Sequence, residues 1–301
     1  LKHELPSSLK SPKNVRSCLY VSTQGHGDLQ SLPVLTVEAK LAFQDNAKNN
    51  AMIILYGMPP AGGLRQPSPF VVKVEMALKY LEAEYRTEFV EPWKIRKLSP
   101  NGKVPWINID DFELGESDNI IEHLVRMHKS DLLDTLSTDD QILGTALKRL
   151  TEKNLYWYMV WSKWMTAESR EELIECFFPN YPKLIRKLGT SYTVRLHNSF
   201  SKVHGIGSLT EAAREAESRT DLQALSNQLK KSNFLLGQDI TVFDFSIASM
   251  LASILFHVPK PWLTQLAEDY PVFPAYLNRV SNRLGGFTFI RDELFTPDMR
   301  N

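Results

Sequence analysis

The sequence has few cysteines, no surplus of either charge and no long apolar run. Each of these absences excludes some classes of structure or binding partner. Two cysteines, Cys18 and Cys176, stand far apart in the 301 residues, so two free thiols are expected and a disulfide between them is the alternative. Lysine plus arginine equal aspartate plus glutamate at 35 each, which leaves no overall attraction for nucleic acid or an anionic membrane. No apolar run reaches the roughly 18 residues of a membrane span.

Metal-binding and nucleotide-binding motifs are also missing. The histidines show no metal-ligand spacing, and Ala61-Gly62-Gly63 lacks the residues that complete a phosphate-binding loop. We therefore predict no metal and no cofactor. Without a secretion signal or a membrane span, the sequence predicts a cytoplasmic protein.

The distribution of apolar residues divides the chain into three parts. Residues 1–51 lack steady periodicity, and we expect them to be a poorly ordered extension. Residues 52–130 alternate short apolar runs with helical patterns, whereas residues 138–290 are helical in pattern throughout. The predicted fold class is therefore a small α/β domain on a mixed sheet, followed by an all-helical domain.

Within residues 52–130 the predicted order is strand, helix, strand, a short irregular crossover, two strands and a helix. Ser68-Pro69 is a good helix start, because serine favours the N-cap and proline the first helical position. Further on, residues 142–164 form one long helical candidate, and Thr241 and Asp244 fit a capping box.

Val104-Pro105 stands at the start of a predicted strand. A cis bond there would turn the backbone groups of Val104 outward, where an extended peptide ligand could pair with them. An ordinary trans proline at a strand edge is the commoner arrangement.

Glu116-Ser117 lies where a helix begins. A serine hydroxyl and unpaired N–H groups suit a ligand carboxylate, and a glutamate suits a ligand ammonium group. A plain helix cap beside a solvated glutamate fits this pair equally well.

Ser68 precedes the first predicted helix. A hydroxyl at a helix N-terminus can lower the pKa of a bound thiol, which is about 8.5 when unperturbed. The alternative is a capping role and nothing more.

In combination these features resemble a known family. The strand, Ser-Pro-Phe helix start, Lys-Val-Pro strand, hairpin and Glu-Ser helix start follow the order of the thioredoxin-like domain of glutathione transferases. Gly237 to Asp244 resembles that family's helical-domain capping motif. Three further segments are similar to a transferase-like group that includes failed-axon-connections and metaxin proteins: residues 68–75, Phe177-Phe178-Pro179 and His204-Gly205-Ile206-Gly207. That group usually has cysteine where this chain has Val71, which argues against cysteine-based redox chemistry.

The resemblance implies a role for each candidate. Ser68 would lie near the sulfur of glutathione as the catalytic residue. The other expected glutathione-binding residues are Lys103, Val104, Pro105, Glu116 and Ser117. Tyr56 is the rival catalyst, because some classes use a tyrosine at the end of the first strand.

Tyr56, Trp157 and Trp161 could line a pocket for a hydrophobic co-substrate, although an aromatic stripe is more often core. The expected partners are thus glutathione and a small hydrophobic electrophile, with a homodimer suggested by resemblance alone. The expected function is conjugation of the glutathione thiolate to that electrophile, and the alternative is a non-catalytic scaffold or binding protein of the same fold.

Overall fold

The computed structural model describes residues 52–166, 170, 171, 173, 174 and 181–291, which lie in one compact unit. The predicted extension (residues 1–51), both cysteines and the segment Phe177-Phe178-Pro179 fall outside the described residues. Among the helices that are described, none has the length and apolar character needed to cross a bilayer.

A mixed sheet of four strands, in the order β2-β1-β3-β4, forms the centre of the first half. The strands are β1 (Ile53–Gly57), β2 (Tyr85–Phe89), β3 (Trp106–Ile109) and β4 (Phe112–Gly115). β1 pairs parallel with β2 and antiparallel with β3, which pairs antiparallel with β4. β3 begins two residues after the predicted start.

Three helices cover this sheet: α1 (Pro69–Tyr80), α2 (Pro92–Leu98) and α3 (Ser117–Met127). Ile53 and Leu55 of β1 point to the face covered by α1 and α3 and join the main core. Ile95 of α2 packs with Trp106 on the opposite face. The connection between β2 and β3, which was expected to be irregular, therefore contains the short helix α2. This helix begins at Pro92, and proline is favoured at the first helical position.

The second half is helical, as the sequence predicts. Its elements are α4 (Thr138–Arg149), a π-helical turn (Leu150–Leu155), α5 (Tyr156–Trp164), α6 (Lys183–His204), a 3-10 turn (Ile206–Ser208), α7 (Glu211–Leu229), α8 (Val242–Leu255), α9 (Trp262–Glu268) and α10 (Val272–Arg283). α4, the π turn and α5 run on continuously and correspond to the long helix expected over residues 142–164. The predicted fold class is confirmed, whereas the domain boundaries stay a prediction.

The start of α8 confirms the predicted capping box. The backbone N–H of Thr241 donates to Asp244 Oδ2 at 2.8 Å, and the hydroxyl of Thr241 donates to the same oxygen at 2.7 Å. The other carboxylate oxygen accepts from the Leu235 N–H and the Tyr276 hydroxyl, each at 2.8 Å. Asp244 is fully buried. The box thus fixes α8, a helix buried along nearly its whole length that packs against α1.

A buried ion cluster joins the sheet's helices to the helical half. Lys73 of α1 is only 1% exposed and forms an ion pair with Asp118 of α3. Its Nζ also lies 2.7 Å from the carboxylate of Glu152 in the π turn. Lys148 of α4 reaches Asp118 at 2.7 Å from outside. This cluster holds α1, α3 and the π turn close to one another.

Candidate functional site

Two of the candidate elements, Val104-Pro105 and Glu116-Ser117, meet at one end of the sheet, where β1 ends and β3 begins. Tyr56 pairs with Trp106, and Trp106 also pairs with Gly115 of β4. Continuing the antiparallel register of β3 and β4 by two residues sets Val104 opposite Ser117. The structure therefore brings the Val-Pro and Glu-Ser elements together.

Val104 offers its backbone at this end of the sheet. The Val104-Pro105 peptide bond is cis, and Val104 lies just outside β3. Within the described part of the chain, neither its N–H nor its C=O has a hydrogen-bond partner. Such a pair of groups can bind an extended peptide in the manner of an added strand.

The loop before Val104 is held in place by its own polar side chains. Ser99 Oγ lies 2.6 Å from the carbonyl oxygen of Lys103, to which it donates. The Lys103 N–H donates to Asn101 Oδ1 at 3.2 Å, and Asn101 Nδ2 donates to Glu116 Oε1 at 2.9 Å. Lys103 and Glu116 are exposed, so their charges remain available to a ligand in the same region.

Glu116 has a strained backbone at the start of α3. Its φ of 66° and ψ of 118° are rarely adopted by a residue with a side chain, and its carboxylate does not cap the helix. Ser117 is the first helical residue rather than the cap. The N-terminal N–H groups of α3 carry partial positive charge, which favours a carboxylate.

Ser68 takes the N-cap position of α1 but does not use it for capping. Its backbone is extended, and its side chain makes no capping hydrogen bond. The residue is 7% exposed. The side chain of Ser68 therefore does not act as a helix cap in the structure. The Ser68 hydroxyl remains available for a ligand.

Gln66 is a positioning residue that sequence reasoning missed. Its side chain is 1% exposed, accepts from the Met58 N–H at 3.2 Å and donates to the Met58 carbonyl at 3.1 Å. Its Oε1 also accepts from the Ser68 N–H at 3.4 Å. A β-carbon on Gly57 would lie 2.3 Å from Gln66 Nε2, so a side chain at position 57 would displace the Gln66 amide from this place. Gln66 thus couples the end of β1 to Ser68.

Comparison with known protein families identifies the family of this chain. A model of the glutathione S-transferase N-terminal domain matches residues 69–169, and one of the C-terminal domain matches residues 218–280. The chain is 30% identical over 237 residues to an isoprene-epoxide–glutathione S-transferase of Rhodococcus sp. (strain AD45), covering 76% of this chain and 98% of that relative. This chain belongs to the glutathione S-transferase family.

This glutathione S-transferase family member is also similar to a further curated protein in sequence and to a solved structure in fold. Failed axon connections of Drosophila melanogaster is 24% identical over 250 residues, which cover 77% of this chain and 58% of that protein. The apo structure of human glutathione-S-transferase T1-1 is 19% identical with a TM-score of 0.50, covering 77% of this chain and 84% of the other. The substrate of the family, glutathione, is a peptide with charged ends.

Tyr56 lies on the face of the sheet opposite α1, so the structure does not bring it to Ser68. Its ring stacks on Trp106 with centroids 4.5 Å apart and planes 5° from parallel. Burial, followed by the charges of Glu88 and Glu113, raises the pKa of the Tyr56 hydroxyl. A raised pKa makes the hydroxyl a weaker donor to a thiolate, which is the reverse of what a catalytic tyrosine in a glutathione S-transferase needs.

Trp157 and Trp161 face the helical half rather than α1. Trp157 lies 5.4 Å from the His204 ring at the end of α6, and Trp161 lies under the guanidinium of Arg214 at 4.1 Å. Tyr156 instead contacts Phe70, the second residue of α1, with ring centroids 5.2 Å apart. The aromatic side chain of α5 that contacts the start of α1 is thus Tyr156, one position away from the predicted Trp157.

Proposed function

We propose that this chain binds glutathione at the edge formed by Val104, Glu116 and Ser68, and transfers its thiolate to a small hydrophobic electrophile. The observation that carries the proposal is the unpaired backbone of Val104, set opposite the start of α3. An extended peptide can pair its backbone with Val104 and place its carboxylate at the N-terminus of α3.

Each candidate residue has a role in this proposal. The backbone of Val104 pairs with the tripeptide, while α3's N-terminus and Ser117 receive the γ-glutamyl carboxylate. Glu116 attracts the γ-glutamyl ammonium group, and Lys103 approaches the glycine carboxylate. The cis Pro105 follows Val104 directly in the chain.

Ser68 would stabilise the thiolate by donating its hydroxyl hydrogen. The thiolate then attacks a carbon of the electrophile, so that a sulfur–carbon bond forms and the bond to the leaving atom breaks. We propose a small apolar epoxide as the first electrophile to test, because the Rhodococcus relative carries an epoxide in its name. In that reaction a carbon–oxygen bond of the ring opens, and the oxygen takes a proton from water. Phe70 and Tyr156 would form the apolar wall.

Calorimetric titration with glutathione tests the binding step. Saturable heat at millimolar glutathione or below is expected, and Glu116→Gln should weaken it because the ammonium group of the ligand loses its counter-charge. Glu113→Gln on the neighbouring strand is the matched control and should leave the affinity unchanged. Absence of heat from the wild-type chain at millimolar glutathione would contradict the proposal.

Conjugation of a small epoxide tests the catalytic step. Ser68→Ala should slow conjugation by about tenfold to a hundredfold near pH 7, because the bound thiol loses one to two pKa units of stabilisation. The pH–rate profile should move to higher pH by the same amount, whereas the affinity for glutathione is retained. Tyr56→Phe is the control. If Tyr56→Phe abolishes turnover and Ser68→Ala does not, the assignment of Ser68 is wrong.

The second candidate function is a non-catalytic binding protein of this fold, and the similarity to Failed axon connections favours it. The same two experiments separate the candidates. Glutathione binding without conjugation of any electrophile in a panel would favour the binding protein. A homodimer also remains a proposal, and light scattering of the purified chain tests it.

A further inference from the structure

The loop that leads to Ser68 is long and contains two glycines with positive φ. It covers residues 58–68, between β1 and α1, and we call it the serine loop. Gly62 has a φ of 60° and Gly63 a φ of 78°. A long irregular loop is mobile unless other parts of the chain hold it. The position of Ser68 therefore depends on what the serine loop contacts.

A segment that follows α10 pairs with the serine loop. This segment covers residues 287–291, and we call it the strap. The Arg65 N–H donates to the Phe289 carbonyl at 3.2 Å, and the Arg291 N–H donates to the Gly63 carbonyl at 3.1 Å. Both bonds belong to a short antiparallel bridge. The strap is thus paired with the serine loop as a neighbouring strand would be.

The side chain of Arg65 adds three contacts to this pairing. Its Nη1 donates to the Thr288 carbonyl at 3.3 Å, and its guanidinium lies over the Phe287 ring at 5.0 Å. Its Nη2 lies 3.5 Å from a carboxylate oxygen of Glu75, a buried residue of α1. Burial raises the pKa of the Glu75 carboxyl group, and the charge of Arg65 opposes that rise. One side chain therefore joins the strap, the serine loop and α1.

Two aromatic residues anchor the strap in the helical half. Phe287 and Phe289 are buried and belong to the main core. Their rings meet edge to face with centroids 5.3 Å apart, and the Phe289 ring lies 6.3 Å from that of Phe256, at the end of α8. Because the strap is fixed in the core, it can hold the serine loop in place.

We propose that the strap and Arg65 position Ser68 at the glutathione sulfur, which makes Arg65 a positioning residue of the reaction. The connection runs through Gln66, which follows Arg65 directly and whose Oε1 accepts from the Ser68 N–H at 3.4 Å. The guanidinium contacts of Arg65 are with the strap and α1, so Arg65 acts on the reaction through Ser68. This inference rests on the proposed role of Ser68 in stabilising the thiolate.

Titration of the thiol of bound glutathione, followed by the ultraviolet absorbance of the thiolate, tests the inference. Arg65→Met removes the guanidinium donors and keeps an apolar stem over Phe287. It should raise the pKa of the bound thiol by about half a unit to one unit and slow epoxide conjugation by about threefold to tenfold near pH 7, because the Ser68 hydroxyl is displaced. The affinity for S-methylglutathione, which has no thiol, should be retained, since Val104 and Glu116 lie on other elements.

A double-mutant cycle separates positioning from a general structural effect. In a chain that already contains Ser68→Ala, Arg65→Met should not raise the thiol pKa further, because the hydroxyl that Arg65 positions is absent. Arg283→Met is the matched control. Arg283 is exposed and lies over the Tyr80 ring at 5.3 Å, and its loss should leave the thiol pKa unchanged.

Arg291→Pro tests the strap without a change at Arg65. Proline has no N–H, so the bond to the Gly63 carbonyl is lost, whereas Arg291→Ala keeps that N–H and is the control. Arg291→Pro should raise the pKa of the bound thiol, and Arg291→Ala should not. Circular dichroism shows which variants are folded, and this second pair decides the question if Arg65→Met does not fold.

Three results would overturn the inference. They are folded strap and Arg65 variants with an unchanged thiol pKa, an equal rise for Arg65→Met with and without Ser68→Ala, and a rise for Arg291→Ala as large as for Arg291→Pro. If Ser68→Ala alone leaves the thiol pKa unchanged, the proposed role of Ser68 fails together with the inference. If Ser68→Ala raises it and the other variants do not, only the inference fails.

Discussion

The amine of Lys163, on α5, is buried among the helices of the second half. Its side chain is 5% exposed, and its Nζ donates to the Ser253 carbonyl at 3.0 Å. Burial without a counter-charge lowers the pKa of this lysine from 10.5 to about 7. In the unfolded chain the same amine titrates at its ordinary value, so Lys163 makes the stability of the protein depend on pH.

Between about pH 7 and pH 10 the unfolded chain binds the Lys163 proton and the folded chain does not, so the free energy of unfolding should rise with pH. Below pH 7 the amine is charged in both states, and the cost of burying it is fully present. Lys163→Met should therefore raise the free energy of unfolding by roughly 3 kcal/mol at pH 6 and by much less at pH 10. Urea unfolding at both pH values measures this, with exposed Lys230→Met as control. A pH-independent effect of Lys163→Met would contradict the argument.

The positions of single residues were predictable where their surroundings are local. Ser68 and Glu116 lie at helix starts that a few neighbouring residues define, whereas their roles in binding or catalysis stay a prediction. Gln66 was missed because its partners are backbone groups that only the folded loop brings to it. Tyr156 was missed because a difference of one residue on α5 decides which side chain faces α1.

Asp244 determines whether α8 can begin where it does. Its carboxylate accepts hydrogen bonds from Thr241, Leu235 and Tyr276 in a fully buried place. Asp244→Ala leaves these buried donors unpaired and should lower the free energy of unfolding by about 3–5 kcal/mol.

Ser137→Ala is the matched control, because Ser137 caps α4 at the exposed surface by accepting from the Asp140 N–H at 3.2 Å. Its expected cost is about 1 kcal/mol. Urea unfolding of both variants measures the two losses in free energy of unfolding. Equal losses would show that burial adds nothing to the contribution of Asp244.

At the scale of elements, regular periodicity made the long helices predictable, whereas one short helix was missed. α2 has seven residues, too few for a repeating apolar pattern to be recognised. For α6, which buries only Thr190 and Ser201, the helix was predicted, but the pattern along its sequence does not reveal which face is buried. Capping motifs, by contrast, identified the start of α8 correctly.

The ion cluster around Lys73 links the two halves of the molecule. Glu152→Gln removes one partner of an amine that is 1% exposed and should lower the free energy of unfolding by about 3 kcal/mol. Glu122→Gln makes the same chemical change in the exposed pair with Arg126, whose atoms are 2.9 Å apart, and should cost under about 1 kcal/mol. Thermal unfolding measures both. A loss for Glu122→Gln as large as for Glu152→Gln would mean that the cluster does not link the halves.

The architecture as a whole was predictable because strand and helix order, turn residues and helix starts agreed with one another. The contacts between the halves were not. Lys73, Asp118 and Glu152 stand in three separate segments, and nothing in their local sequence pairs them.

The packing of α1 against α8 has a consequence for synthesis on the ribosome. Tyr80 of α1 packs on Phe245 of α8, with ring centroids 5.9 Å apart, and α8 is made only after the whole chain between Tyr80 and Val242. Until then the emerging first half exposes an apolar helix face, as chains with distant contacts do. The first half of the chain therefore completes its folding only late in translation. Until then chaperones can affect the yield of folded protein.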